Sequence, residues 1–357
     1  MSKQAIRFSL FDWLDESGRS YADTYDERLR LLEFADDLGF YAYMLAEHHG
    51  TSLSITPSPT VFLAAAAQRT EKIRLGALSW VLPIYDPLRL YEELCMLDHI
   101  SKGRLEMGLS RGASPHESLR HGVPREESKA RYDEIFNLLL GAFRDGRFNG
   151  PGPFHPYDNV ATRFSPFQKP YPPIWYPTSN AESIPRVAGH GFNFVVSLLN
   201  SPTLDRAAEM LKLFRREYEA HRNDAGRLNA HVAETVIGFT THVHVAETDA
   251  KAFEQARVAY MQFNENYTRR YLDIGQASHF AGRPTFEQFV AEGRFLCGSP
   301  ESVRKNLSKV VDLTGANHFV GVFTFGDLPY EQTRRSVELF AKEVMPAFAG
   351  DTTGETA

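Results

Sequence analysis

The 357-residue chain has only two cysteines, Cys95 and Cys297, and they lie far apart in the sequence. Two such cysteines are too few to build a disulfide framework or a cysteine-based metal site. We expect both to be buried thiols, as free cysteines usually are. A reducing compartment fits this composition, and a disulfide-stabilised scaffold is excluded.

The sequence also lacks an apolar run approaching the roughly 20 residues that span a bilayer. Met1-Ser2-Lys3-Gln4 leads directly into a predicted strand rather than into the apolar region of a signal peptide. The net charge is −6, and no run of lysine and arginine interleaved with aromatic residues could follow a nucleic acid backbone. We therefore expect a soluble, cytoplasmic protein whose partners include neither membrane nor nucleic acid.

What the chain does contain is apolar material, with 43% hydrophobic and 12% aromatic residues, which is enough for a large core. Short β-branched or aromatic runs alternate with longer runs at helical spacing, a pattern typical of βα units around a parallel sheet. The sequence predicts α/β architecture, a single (β/α)8 TIM barrel in one domain over residues 1–349. The eight predicted strands are 6–11, 41–45, 73–80, 105–109, 174–177, 192–196, a stretch within 234–245, and 318–323.

Two segments break this alternation, and both are expected to be long insertions at the C-terminal face of the strands. Residues 146–173 are rich in proline, glycine and aromatics without a clear period, and are expected to be irregular and to cover the barrel mouth. Residues 273–297 are predicted to form a second irregular insertion and a candidate lid. The small, polar residues 350–357 are expected to form a flexible tail.

Glu47-His48-His49 follows directly on the second predicted strand, where an α/β barrel keeps its chemistry. A histidine with a pKa near neutrality can exchange protons at working pH, so His48 is the candidate catalytic residue. The alternative is that His48 only satisfies hydrogen bonds at the barrel rim. Glu47 is expected to hold a neighbouring backbone or imidazole group rather than to transfer a proton.

Two further strand ends carry groups suited to a phosphate. Ser110-Arg111-Gly112-Ala113-Ser114 closes the fourth strand and supplies a guanidinium with several fixed donors. Thr178 and Ser179 follow the fifth strand, and hydroxyls with free backbone N–H groups at a helix start bind anions. Ser183 is a further candidate, although a serine at this place also serves for helix capping alone.

These motifs, taken with residues 73–83 and 94–112 in their order and spacing, resemble the bacterial luciferase-like flavin monooxygenase superfamily. The resemblance runs from Ile6 to about Phe348. It implies a barrel that binds reduced FMN, with His48 above the flavin for acid–base work and a non-prolyl cis peptide at Leu78-Ser79 beneath the ring. The implied phosphate contacts are Arg111 with the adjoining Gly112, Ala113 and Ser114, and the loop residues Thr178, Ser179 and Ser183.

The chain departs from the family pattern at two positions. Ser110 stands where light-emitting members have a reactive cysteine, so bioluminescence is not predicted. Pro177 replaces the small residue that is usual in the family, which puts the local geometry of the phosphate loop in question.

The resemblance implies a two-component monooxygenase. Reduced FMN binds, dioxygen forms a hydroperoxide on the ring, and one oxygen atom passes to a small organic substrate. No Gly-x-Gly-x-x-Gly fingerprint follows any predicted strand, so reduced flavin is expected from a separate NAD(P)H-dependent reductase. A homodimer is also implied.

The sequence leaves other functions open. Other branches of the superfamily use a deazaflavin for hydride transfer without oxygen, and some members bind flavin without catalysis. His242 and His244 share a strand face and suggest a metal-dependent barrel hydrolase, but they fall late in the chain without matching ligands, and no metal is expected. Four aromatic residues could line a substrate cavity or the barrel core: Phe8, Phe11, Trp13 and Trp80.

Overall fold

The computed structural model describes residues 5–112, 114–272, 275 and 282–350. Within that part of the chain, strands and helices alternate as the sequence predicts. The strands are β1 (Arg7–Asp12), β2 (Ala42–Leu45), β3 (Arg74–Val81), β4 (Leu105–Ser110), β5 (Arg147–Gly150), β6 (Tyr157–Ala161), β7 (Ile174–Trp175), β8 (Phe194–Ser197), β9 (Ile237–Val245), β10 (Leu296–Gly298) and β11 (His318–Val322). The helices are α1 (Tyr21–Asp37), α2 (Pro59–Arg69), α3 (Pro87–Ile100), α4 (Pro115–Arg120), α5 (Ser128–Asp145), α6 (Ile184–Gly189), α7 (Leu204–Ala220), α8 (Asp249–Leu272), α9 (Phe286–Ala291), α10 (Pro300–Thr314) and α11 (Tyr330–Leu339).

The main sheet is parallel throughout. β1 pairs with β2 on one side and with β11 on the other. From β2 the pairing continues through β3 and β4 to β7, and from β11 it continues through β9 to β8. A bridge between Trp175 and Asn193 joins β7 to the start of β8, with Asn193 N–H donating to Ile174 O at 2.9 Å. The pairings thus return to β1 after eight strands. The eight predicted strands and the predicted α/β barrel architecture are confirmed.

Local sequence explains where the helices start and stop. Ser20, Asp86 and Thr203 precede α1, α3 and α7, and each side chain accepts a hydrogen bond from a backbone N–H of the first turn. α10 begins at Pro300 behind the Ser299 cap and ends at Gly315, whose φ of 62° is the left-handed conformation that glycine adopts easily.

The core has an inner and an outer layer. A small hydrophobic cluster fills the interior of the barrel, and a larger one lies between the strands and the helices, as a parallel sheet with helices outside requires. A third cluster lies around α8, α9 and β10. The inner cluster consists of Phe11, Ala42, Met44, Ala46, Trp175, Val195, Val236, Val320 and Val322.

The two segments expected to be irregular contain regular structure. Residues 146–173 include the antiparallel hairpin β5–β6, which buries Phe148 against Tyr91 and Tyr157. This hairpin was not predicted, because part of the packing of its apolar side chains comes from the helix layer, which no local pattern shows. In the second segment, α9 starts with a capping box between Thr285 and Gln288, and β10 begins before its end.

The remaining positions of the candidate lid, 273–274 and 276–281, lie outside the described residues, as do 351–357 of the tail. Cys95 and Cys297 are buried free thiols, as expected. In the described part of the chain, no helix is both long enough and apolar enough to cross a membrane.

Candidate functional site

A cavity of about 870 Å³ lies at the carboxyl ends of the strands. This is where the parallel barrel strands present the side chains that follow them. The strand residues lining it are Phe11 from β1, Leu78, Ser79 and Val81 from β3, Ser110 from β4, Val195 and Ser197 from β8, Thr240, Thr241 and His242 from β9, and Val322 from β11.

Glu47 is buried at one side of this cavity and holds its surroundings together. Its Oε2 accepts the Val81 backbone N–H at 2.6 Å, and its Oε1 accepts the Tyr85 hydroxyl at 2.5 Å and lies 3.1 Å from His49 Nε2. Burial, together with the Glu47 charge, raises the pKa of Tyr85, so the phenol stays a donor. Glu47 fixes backbone and imidazole groups, as the sequence analysis expected.

His48 lines the cavity with one face of its ring against Trp13, at a centroid distance of 5.5 Å and an interplanar angle of 24°. Its Nδ1 lies 3.0 Å from Oε2 and 3.1 Å from Oε1 of Glu117, on α4. Sequence reasoning missed Glu117. It is 69 residues from His48, and nothing in the local pattern of a short helix indicates such a contact.

Arg111 and Gly112 form the turn after β4 and line the cavity. Within the described residues, no carboxylate pairs with the exposed Arg111 guanidinium. Gly112 has φ 87°, and a Cβ there would lie 2.7 Å from a methyl group of Val81, so this turn requires glycine. Ala113 lies outside the described residues; Ser114 is buried just before α4 and is not among the described residues that line the cavity.

The loop after β7 places Thr178, Ser179 and Ser183 along the same cavity. Its hydroxyls brace one another: Thr178 Oγ1 lies 2.9 Å from Ser183 Oγ and accepts the Asn180 N–H at 3.0 Å. Asn180 caps the short 3-10 turn Ala181–Ser183 through the N–H of Glu182. The loop is therefore ordered by its own side chains despite Pro177.

Two more cations line the cavity and were missed by sequence reasoning. Lys129 lies on α5, 2.6 Å from the Asp133 carboxylate, and Arg186 lies on α6 with its guanidinium over the ring of Tyr176. The i, i+3, i+4 spacing of Lys129, Tyr132 and Asp133 was the available signal, because it puts all three on one helix face.

The peptide bond between Leu78 and Ser79 is cis, as the family resemblance implied. Both residues line the cavity, and the Ser79 hydroxyl donates to Ser110 Oγ, which also accepts the Gly112 N–H at 3.1 Å. The ends of β3 and β4 are thus joined at the cavity floor.

Aromatic rings form the wall around Trp13. Phe11, Trp13, Tyr267 and Tyr271 line the cavity. Phe8 does not, because alternation along β1 turns it outward onto Phe340. Trp80 is also directed outward, and its indole N–H donates to Thr60 on α2 at 3.2 Å.

His242 lies among four aromatic rings at this wall, and burial lowers its pKa to about 3, so the imidazole is neutral. His244 Nε2 lies 3.0 Å from Gln255 Oε1. Across the described ranges, no three His, Cys, Asp or Glu side chains are grouped to hold a metal ion. The cavity is therefore lined by cations and hydroxyls, by an imidazole paired with a carboxylate, and by an aromatic wall.

Comparisons with known proteins identify the family of the chain. A family model described as luciferase-like monooxygenase matches residues 6–318. An uncharacterized protein of Sinorhizobium fredii is 33% identical over 342 residues, covering 95% of this chain and 96% of the relative. The oxygenase component of the flavin-dependent trigonelline monooxygenase of Acinetobacter baylyi is 27% identical and covers 96% of each chain.

Among solved structures, monooxygenase RslO1 from Streptomyces bottropensis matches with a TM-score of 0.85 and 26% identity, covering 96% of this chain and all of the other. The family model alone covers most of the chain, and the cavity lies at the carboxyl ends of the parallel strands. The chain belongs to the luciferase-like monooxygenase family.

Proposed function

We propose that this protein is a flavin-dependent monooxygenase that uses reduced FMN and dioxygen to oxygenate a small, largely apolar or carbonyl-containing organic substrate. One observation carries the proposal: a single cavity joins the Arg111 guanidinium, which pairs with no carboxylate among the described residues, to the paired imidazole of His48 and to an aromatic wall. The relative named as a flavin-dependent oxygenase component supports it.

The residues at one end of the cavity fit the FMN phosphate. Arg111, Lys129 and Arg186 supply positive charge, and Thr178, Ser179 and Ser183 supply hydroxyls. Planar guanidinium donors match phosphate oxygens well, and hydroxyl donors add to this. Leu78 and Ser79, at the cavity floor, would contact the flavin ring. Reduced FMN, when bound, supplies the two electrons needed to activate dioxygen.

The chain's own groups then handle protons and water. One atom of dioxygen enters the substrate and the other leaves as water, so protons must be moved within the cavity. His48 is the group suited to this, because its ring lines the cavity beside Trp13. The rings of Phe11, Trp13 and Tyr267 provide an apolar wall that keeps water away from the reacting oxygen.

The proposed partners are a separate NAD(P)H-dependent flavin reductase and a second copy of the chain. The reductase is supported by the name of the relative, which is an oxygenase component. The homodimer is proposed from the resemblance to the luciferase-like family. Light scattering on the purified protein tests this assembly.

The function is tested by anaerobic titration with reduced FMN, followed by mixing with aerated buffer and a panel of aldehydes, ketones, sulfur compounds and heterocycles. Oxygen uptake coupled to an oxygenated product supports the proposal. Turnover with a reduced deazaflavin in the absence of dioxygen would show hydride transfer instead. FMN binding without consumption of substrate would show a flavin-binding protein.

A further inference from the structure

The contact between His48 and Glu117 determines which nitrogen of the imidazole carries the hydrogen. Both oxygens of Glu117 lie at hydrogen-bond distance from Nδ1, at 3.0 and 3.1 Å. An ionised carboxylate only accepts hydrogen bonds, so the Nδ1 atom must hold the hydrogen. In the neutral ring, the Nε2 lone pair is then free to accept a proton.

The Nε2 atom is available for this purpose. Among the described residues, none is hydrogen-bonded to it, and the His48 ring lines the cavity. The two side chains are only 10% and 11% exposed, so water competes weakly for the Nδ1 contact. A charge-assisted contact shielded from water holds its geometry better than an exposed one.

The carboxylate is itself fixed in place. Oε2 of Glu117 also accepts the backbone N–H of His49 at 2.9 Å, so Glu117 contacts both the ring of His48 and the peptide that follows it. Trp13 restrains the ring from its flat side. The orientation of the imidazole is thus set by Glu117 at the edge of the ring and by Trp13 at its face.

Attachment of α4 to this loop does not depend on Glu117 alone. Arg120, one turn further along α4, donates to the carbonyl oxygens of His49, at 3.0 Å, and of Gly50. The helix therefore has a second link to the same backbone, and this link touches neither ring nitrogen of His48. Arg120 provides a matched control for the loss of Glu117.

We propose that Glu117 is a positioning residue that holds His48 in its Nδ1–H tautomer, with Nε2 as the atom that exchanges protons with oxygen groups in the cavity. Nε2 accepts a proton from such a group and later returns it, so the imidazole is unchanged over a turnover. The catalytic consequence rests on the proposed function, whereas the tautomer is a property of the flavin-free protein.

The first measurement is a long-range proton–nitrogen correlation spectrum of flavin-free protein labelled with 15N-histidine. His48 is assigned by the signals that disappear in His48→Asn. We expect the Nδ1–H tautomer in the parent and in Arg120→Ala. In Glu117→Ala the Nε2–H form should predominate, and Glu117→Gln, which keeps an oxygen acceptor, should retain a large share of the Nδ1–H form. An Nε2–H parent, or a Glu117→Ala protein with unchanged signals, overturns the proposal.

The second measurement is a double-mutant cycle on oxygenation of whichever panel substrate the parent converts. Glu117→Ala should lower kcat at least tenfold with the substrate KM nearly unchanged, and Glu117→Gln should recover part of the loss. Adding Glu117→Ala to His48→Asn should cost nothing further, because the group being positioned is already absent. Additive losses would show that Glu117 acts independently of His48 and would overturn the proposal.

The two measurements test the positioning role of Glu117 and the monooxygenase function separately. A parent protein with the expected tautomer and no oxygenation of any panel substrate supports the positioning role and counts against the monooxygenase function. Oxygenation by the parent, combined with an Nε2–H ring, supports the function and refutes the positioning role. If Glu117→Ala does not fold, the tautomer of the parent protein still decides the proposal, because an Nε2–H ring overturns it.

Discussion

Replacing Arg111 with alanine should separate the two halves of flavin recognition. FMN and riboflavin share the ring and the ribityl chain and differ in the phosphate. Arg111 lines the cavity and has no carboxylate partner within the described residues, so its guanidinium is available for the phosphate. Its loss should weaken FMN binding and leave riboflavin binding nearly unchanged.

The size of the loss in FMN binding depends on how exposed the Arg111 guanidinium is. A hydrogen bond to a charged group contributes about 1.5–3 kcal/mol when well formed. Two of them from one guanidinium would approach twice that, but Arg111 is exposed and solvent reduces the gain. We therefore expect a total loss of about 1.5–3 kcal/mol, which is roughly a 10- to 150-fold weaker Kd for FMN.

The assay is an anaerobic titration of reduced FMN and reduced riboflavin into the parent and Arg111→Ala proteins at two salt concentrations. FMN affinity of the parent should fall with salt, and the variant should show a smaller fall. Lys129→Ala is the matched comparison, because Lys129 already pairs with Asp133 and should cost less. Equal weakening of FMN and riboflavin by Arg111→Ala would refute the phosphate assignment.

Three further predictions follow from the site and its surroundings. His48→Asn should lower the rate of oxygenation about 10²- to 10⁴-fold, which is the usual contribution of a general acid–base group, with FMN affinity and Tm nearly retained. A much lower Tm would instead show a structural role. Asp15 is fully buried, and burial raises its pKa from 3.8 to about 7. Asp15 therefore ionises at a lower pH in the unfolded state than in the folded state. As the pH rises from about 4 to 7, this difference should reduce the free energy of unfolding by up to about 4 kcal/mol. Urea unfolding at pH 5 and pH 8 should show the larger part of this loss in the parent and not in Asp15→Asn. An equal pH dependence of the two proteins would contradict the prediction. If residues 273–297 act as a lid, trypsin should cut this segment in the free protein and more slowly with FMN bound, and cutting that ignores FMN would remove the support for a lid.

Much of the fold could be predicted because it depends on local patterns. All eight barrel strands come from short apolar runs bounded by turn residues, since a strand buried on both faces must be apolar along its length. The placement of Glu47, His48 and Arg111 at the cavity followed directly, because the carboxyl ends of parallel strands lie at one face of a barrel. The cis peptide at Leu78-Ser79 came from the family resemblance and not from any local pattern.

The sequence by itself therefore determined the order of strands and helices, the face that holds the site, and the strand ends that contribute to it. Only the tertiary structure brought Glu117 to His48 and placed Lys129 and Arg186 on the cavity that Thr178, Ser179 and Ser183 line. The physical reason is that strand and helix formation depends on neighbours within a few residues. A contact between side chains 69 residues apart depends on how the helices dock, and no local pattern contains that information.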